Sequence, residues 1–148
     1  MKIPHSVTEI GCSAFSGYKG LKSVTIPNSV TTIGDRAFES CISLKSVTIP
    51  NSVTKLVGFV FSGCTGLRSV TIGRGVKLFG GGVFLDCPNI RLIKYYRPTP
   101  PEFYWGVDSF DNDVEEKKAV LMVPANSVRK YRNDAVWGHF RNIRALAK

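Results

Sequence analysis

The side chains of this 148-residue chain best suited to catalysis or metal binding are four cysteines, two histidines and one acidic stretch. Cys12, Cys41, Cys64 and Cys87 form no Cys-x-x-Cys pair, and only His5 and His139 are available to complete a zinc set. No nucleophile and base stand near either histidine, so no catalytic residue is assigned and no enzyme activity is expected. Asp108, Asp111, Asp113, Glu115 and Glu116 invite a calcium reading. A calcium loop needs Gly at its sixth position and Glu at its twelfth; counted from Asp111 these are Glu116 and Met122, so a solvated loop is the better reading. The glycine-rich GRGVKLFGGG, from Gly73 to Gly82, lacks the Gly-Lys-Ser/Thr ending of a phosphate loop, and no helical pattern follows it. Neither a metal nor a cofactor is expected.

The elements that carry these residues come from an internal repeat. IPNSVTTIGDRAFESCISLKSVT begins at Ile26, IPHSVTEIGCSAFSGYKGLKSVT at Ile3, and IPNSVTKLVGFVFSGCTGLRSVT at Ile49. A fourth copy, IGRGVKLFGGGVFLDCPNIRLIK, begins at Ile72. The period is 23 residues without insertion. Apolar columns recur at Val30, Val53 and Val76, at Phe15, Phe38, Phe61 and Phe84, and at Leu44, Leu67 and Ile90. One copy has too few apolar groups to bury its own face, but stacked copies place each side chain on its counterpart above and below. The phenylalanines then form an aromatic spine. Cys41, Cys64 and Cys87 form a column of packed thiols; neighbouring coils about 5 Å apart leave a disulfide within geometric reach.

Within one copy, LKSVTI is β-branched and alternating and reads as a strand ended by Pro50. VTTI reads as a short second strand, and GDRAFESC as a helical turn or a tight bend. One strand per coil, always in the same direction, gives a parallel sheet along one face, and parallel crossovers predict right-handed coiling. The fold class is therefore a leucine-rich-repeat-like, right-handed β-solenoid with coils 3–25, 26–48, 49–71 and 72–94. An enlarged coil, 95–122, carries five extra residues; within it Ser109-Phe110 matches the earlier Ala-Phe pair, and AVLMVP restates the strand and its proline. From 123 to 148 the composition turns helix-compatible, with Asn126 or Ser127 as N-cap, and Val128, Tyr131, Trp137, Phe140 and Ile143 are expected to cover the last coil. The opposite end starts within a repeat and lacks a matching cap. The chain therefore reads as the C-terminal part of a longer protein, with an N-terminal open edge suited to self-association.

These repeats resemble the BspA-like (treponemal-type) leucine-rich repeat, and AVLMVPANSVRKYRNDAVWGHFRNI resembles the segment that closes such proteins in gut and oral Bacteroidetes. The resemblance covers nearly the whole chain. It implies a secreted or surface-anchored protein of a host-associated microbe, adhesive in function, with a protein or glycan as ligand. It brings no catalytic residue. The fourth copy departs from the pattern where Gly73-Arg74-Gly75 replaces Pro-Asn-Ser.

Two surfaces are candidates for the contact. On the strand face, Lys22, Lys45, Arg68 and Arg91 form a basic column, and Thr25, Thr48, Thr71 and Lys94 form a second column beside it. Like charges stacked on a sheet repel by about 1 kcal/mol or less per pair in water, and an anionic ligand would relieve that. The plainer alternative is a solvated consensus face that guards against aggregation. Tyr96, Phe103, Tyr104 and Trp105 form an aromatic patch that either makes contacts or packs as part of the cap. Residues 1–94 carry eleven Lys and Arg against four acids, whereas 95–148 carry nine against seven, so most of the net charge of +9 lies on the repeats. No nucleic-acid-binding motif accompanies it. The opening MKIPHSVTEIGC has no apolar signal core, and no apolar run is long enough to span a membrane. A spacer with no ligand of its own is the second reading.

Overall fold

A computed structural model describes all residues except 57, 104–107, 112–113, 115–117 and 148. The chain is a parallel β-solenoid. Its main sheet holds five strands in the order β10-β9-β7-β5-β3: β3 (Ser46–Ile49), β5 (Ser69–Ile72), β7 (Leu92–Tyr95), β9 (Val120–Val123) and β10 (Asn142–Ala145). Lys2 and Thr25, at the matching repeat positions, form an isolated parallel bridge outside this sheet. Val47 pairs with Val70 and Val70 with Ile93, so the register is the repeat itself. Ile93 pairs with Leu121, which places the five extra residues outside the sheet.

A second face carries two-residue strands. β1 (Glu9–Ile10) pairs with β2 (Thr32–Ile33), and β4 (Lys55–Leu56) with β6 (Leu78–Phe79), which in turn pairs with β8 (Glu102–Phe103). Between these and the main sheet the chain runs through consecutive tight turns, which resolves the choice between helical turn and bend. Ser13, Arg36 and Phe59 adopt positive φ at one position of that turn, and Gly17, Ser40, Gly63 and Asp86 at another. The alternation this produces satisfies the backbone in two directions. The N–H groups of Arg36, Phe38 and Ser40 donate to Gly58, Val60 and Ser62 of the next coil, whereas those of Ala37 and Glu39 close turns within their own. The turn backbone is thus bonded both within its own coil and to the next one.

The core lies between the faces. Phe15, Phe38, Phe61, Phe84 and Phe110 stack at centroid spacings of 5.2 to 5.4 Å. Phe110 therefore takes the place expected of it in the enlarged coil. Val7, Phe15 and Val24 are only partly buried, because no coil covers their outer side.

The C-terminal segment departs from a purely helical cap. Its α-helix, α1 (Val128–Arg132), is one short turn, flanked by 3-10 turns at Ala125–Ser127 and Trp137–His139. The chain then returns to the sheet as β10, with Ile143 paired to Leu121. Pairing the β9 edge satisfies a row of backbone groups that a helix laid across it would leave open. Ser127 precedes α1 but makes no capping bond; its Oγ donates to the Pro98 carbonyl at 2.6 Å. Tyr131, Trp137, Phe140 and Ile143 are buried and Val128 partly so, and these residues cover the last coil as expected.

Candidate functional site

The outward face of the main sheet follows strict alternation. Val47 and Ile49 of β3 point inward and are buried, while Ser46 and Thr48 are exposed. Period-2 geometry therefore allows two outward columns per strand, not three. The Thr column is one of them: Thr48 pairs with Thr71 and Thr71 with Lys94. The basic column is not on the strand face. Lys45, Arg68 and Arg91 stand immediately before their strands, at the corner where the chain enters the sheet, and Lys22 holds the same repeat position. All four are exposed, because the preceding Leu44, Leu67 and Ile90 turn inward and the corner lies beyond the core's edge. Backbone bonds knit that corner: Arg68 N–H donates to Lys45 O and Arg91 N–H to Arg68 O, each at 2.8 Å. Arg91 is also held by its own coil, its Nη1 donating to the carbonyls of Pro88 and Ile90 at 3.2 Å each.

At the other end of the strands lies a groove of about 600 Å³ that runs across successive coils. One side is the hydroxyl column of Thr25, Thr48 and Thr71. The other is the turn that follows each strand, carrying Asn28, Asn51 and Arg74. Pro27, Pro50 and Gly73 lie between them, Tyr96 closes one end and His5 the other. Asn51 Oδ1 accepts the Arg74 N–H at 2.9 Å. A Cβ at Gly73 would come within 2.6 Å of that same oxygen, so glycine in the fourth copy is a steric requirement. Sequence reading paired Tyr96 with the cap aromatics and set the Thr column beside the basic one. The structure instead joins Tyr96 to the Thr column. The signal for this lay in the turn column His5, Asn28, Asn51, Arg74, 23 residues apart and polar throughout.

Of the expected aromatic patch, Phe103 and Tyr96 lie among the described residues. Phe103 packs against Phe79 and Trp137 at 5.7 and 5.8 Å and belongs to the core rather than to an exposed patch, because the last coil needs bulk there. Tyr96 remains 44% exposed, while Tyr104 and Trp105 lie outside the described residues. Cys41, Cys64 and Cys87 are buried free thiols, each Sγ within 3.1 to 3.3 Å of a phenylalanine carbonyl in the preceding coil. Contact with Cys41 and burial hold the Cys64 thiol far above its ordinary range, and burial pushes Cys87 up to about 12. The Cys64 contact instead lowers the Cys41 thiol, but all three cysteines are buried within the core and act as packing groups there. Among the described residues no three His, Cys, Asp or Glu side chains gather as a metal site, and no helix is long and apolar enough to cross a membrane.

A stack of similar coils, contributing strands to one parallel sheet, defines a leucine-rich-repeat solenoid. Residues 1–100 match the BspA type leucine rich repeat region in six copies, and the chain belongs to that non-catalytic repeat family. Among solved structures it is similar to a leucine rich cell surface protein from Faecalibacterium prausnitzii A2-165, with 24% identity and a TM-score of 0.65 over 100% of this chain and 32% of that one. A leucine-rich repeat protein from Eubacterium ventriosum gives 23% identity and a TM-score of 0.67 over 99% and 43%. The pneumococcal vaccine antigen PcpA gives 21% and 0.66 over 99% and 35%. The chain thus spans less than half the length of each. No curated protein sequence matches it significantly.

Proposed function

We propose that this chain is a non-enzymatic binding module that presents its repeat-built surface to a macromolecule outside the cell. One observation carries the reading: the strands of the main sheet bond to those of neighbouring coils, so the sheet face presents side chains in repeated columns one strand spacing apart. Such a surface suits a partner that is itself extended or repetitive. Family membership and the cell-surface description of the Faecalibacterium relative support an extracellular setting. The excess of eleven Lys and Arg over four acids in residues 1–94 gives the repeat body a positive field that favours an anionic partner. The test is an array of host-matrix proteins and glycans probed with the intact chain at physiological salt. Saturable retention by at least one class is expected. A blank array would leave the second reading, a spacer that holds another domain away from a surface.

A further inference from the structure

We propose that the groove between the Thr column and the post-strand turns is the contact site, and that it takes an extended acidic glycan; this rests on the binding-module reading above. Its walls carry polar side chains on successive rungs: Thr25 and Asn28, Thr48 and Asn51, Thr71 and Arg74. Asn51 uses its carboxamide oxygen on the Arg74 N–H, which leaves its NH₂ as a donor toward a ligand. Rungs about 4.8 Å apart repeat at close to the length of one linked sugar ring, so successive rings meet a hydroxyl paired with an amide on two rungs and with a guanidinium on the third.

Tyr96 stands where Pro27 and Pro50 stand in earlier coils, and Gly73 between them has no side chain. The floor therefore opens beside an exposed aromatic ring, the kind of surface on which the C–H face of a sugar packs. Among the described residues no carboxylate lines the groove, Arg74 lies on one wall, and Lys94 continues the Thr column on the next rung. Negative charge on the ligand is thus matched by Arg74 and Lys94. A peptide fits less well. Extended peptides bind by pairing with a free strand edge, and here the nearby amides are already taken, Gly73 N–H by Ile49 O and Tyr96 N–H by Ile72 O.

Calorimetric titration of the intact chain at 150 mM salt tests this with four probes: polygalacturonate, chondroitin sulfate, neutral dextran and polyglutamate. Binding of either acidic glycan at least tenfold tighter than dextran and polyglutamate is expected, and the stronger of the two shows whether carboxylate or sulfate is preferred. Tyr96→Ala and Thr48→Glu, both at exposed positions, should each weaken it tenfold or more with an unchanged thermal midpoint. Lys45→Ala with Arg68→Ala should stay within about threefold of wild type. Equal binding of polyglutamate, or loss in the corner variant with full binding in the groove variants, overturns the proposal. So does failure of both acidic glycans; if the array is then positive, only the groove assignment falls, whereas a blank array removes the binding reading as well.

Discussion

At the scale of single residues, Gly73 shows how a departure from the repeat is compelled by its neighbour. The earlier coils have Pro4, Pro27 and Pro50 at this position. Restoring the consensus with Gly73→Pro would delete the 2.8 Å bond from its N–H to Ile49 O and drive a side chain into Asn51. The expected cost is about 3 kcal/mol, read as a lower urea midpoint; a variant as stable as wild type would show that the fourth turn can adopt the consensus geometry. The thiols make a second case. Native-state alkylation at pH 8 should label exposed Cys12 and spare the buried Cys41, Cys64 and Cys87, all four reacting after denaturation. Because Cys87 is raised from 9.0 to about 12, its contribution to stability is intact below about pH 9 and is lost as pH rises toward its folded value. Denaturation midpoints should therefore fall above pH 9, and Cys87→Ala should flatten that fall.

At the scale of elements, the C-terminal segment works as a plug. Trp137 is fully buried and touches Phe79, Tyr95, Phe103, Phe110, Tyr131 and Phe140 at centroid distances of 5.4 to 5.9 Å. Asp134 holds the turn that presents it, accepting the N–H groups of Val136 and Trp137 at 3.0 Å. Tyr131 OH reaches back to Arg97 O at 2.9 Å and ties the plug to the enlarged coil. Trp137→Ala should cost roughly 3–5 kcal/mol. It should also loosen β10 and expose the β9 edge, so self-association is expected in light scattering at concentrations where wild type scatters as a single species.

At the scale of the whole molecule, each coil draws its stability from the coils on either side. Phe61 is sandwiched between two rings and fully buried; Phe15 stacks on one ring and is only partly buried. Phe61→Leu should therefore destabilise the chain more than Phe15→Leu, by about 1 kcal/mol or more. Amide exchange should be fastest in coil 3–25 and slowest around β5, β7 and β9, where strands are paired on both sides. Uniform protection along the axis would show instead that the chain unfolds as one unit.

The 23-residue period determined the coil, the parallel register, the phenylalanine spine and the thiol column, because a side chain recurring at a fixed interval has only its own copies to pack against. It also legibly placed Ser109-Phe110 and the buried residues of the plug. Three features were decided by tertiary structure. The basic residues fell at the corner, because the boundary between bend and strand sets which outward positions exist, and one residue moves a side chain off the face. The last segment became a strand because an unpaired β9 edge favours main-chain pairing over the weak preference of a short helix. The groove arose from residues two to three positions apart in sequence and repeated across coils, and its opening beside Tyr96 depends on a glycine whose necessity is visible only once Asn51 is seen against it.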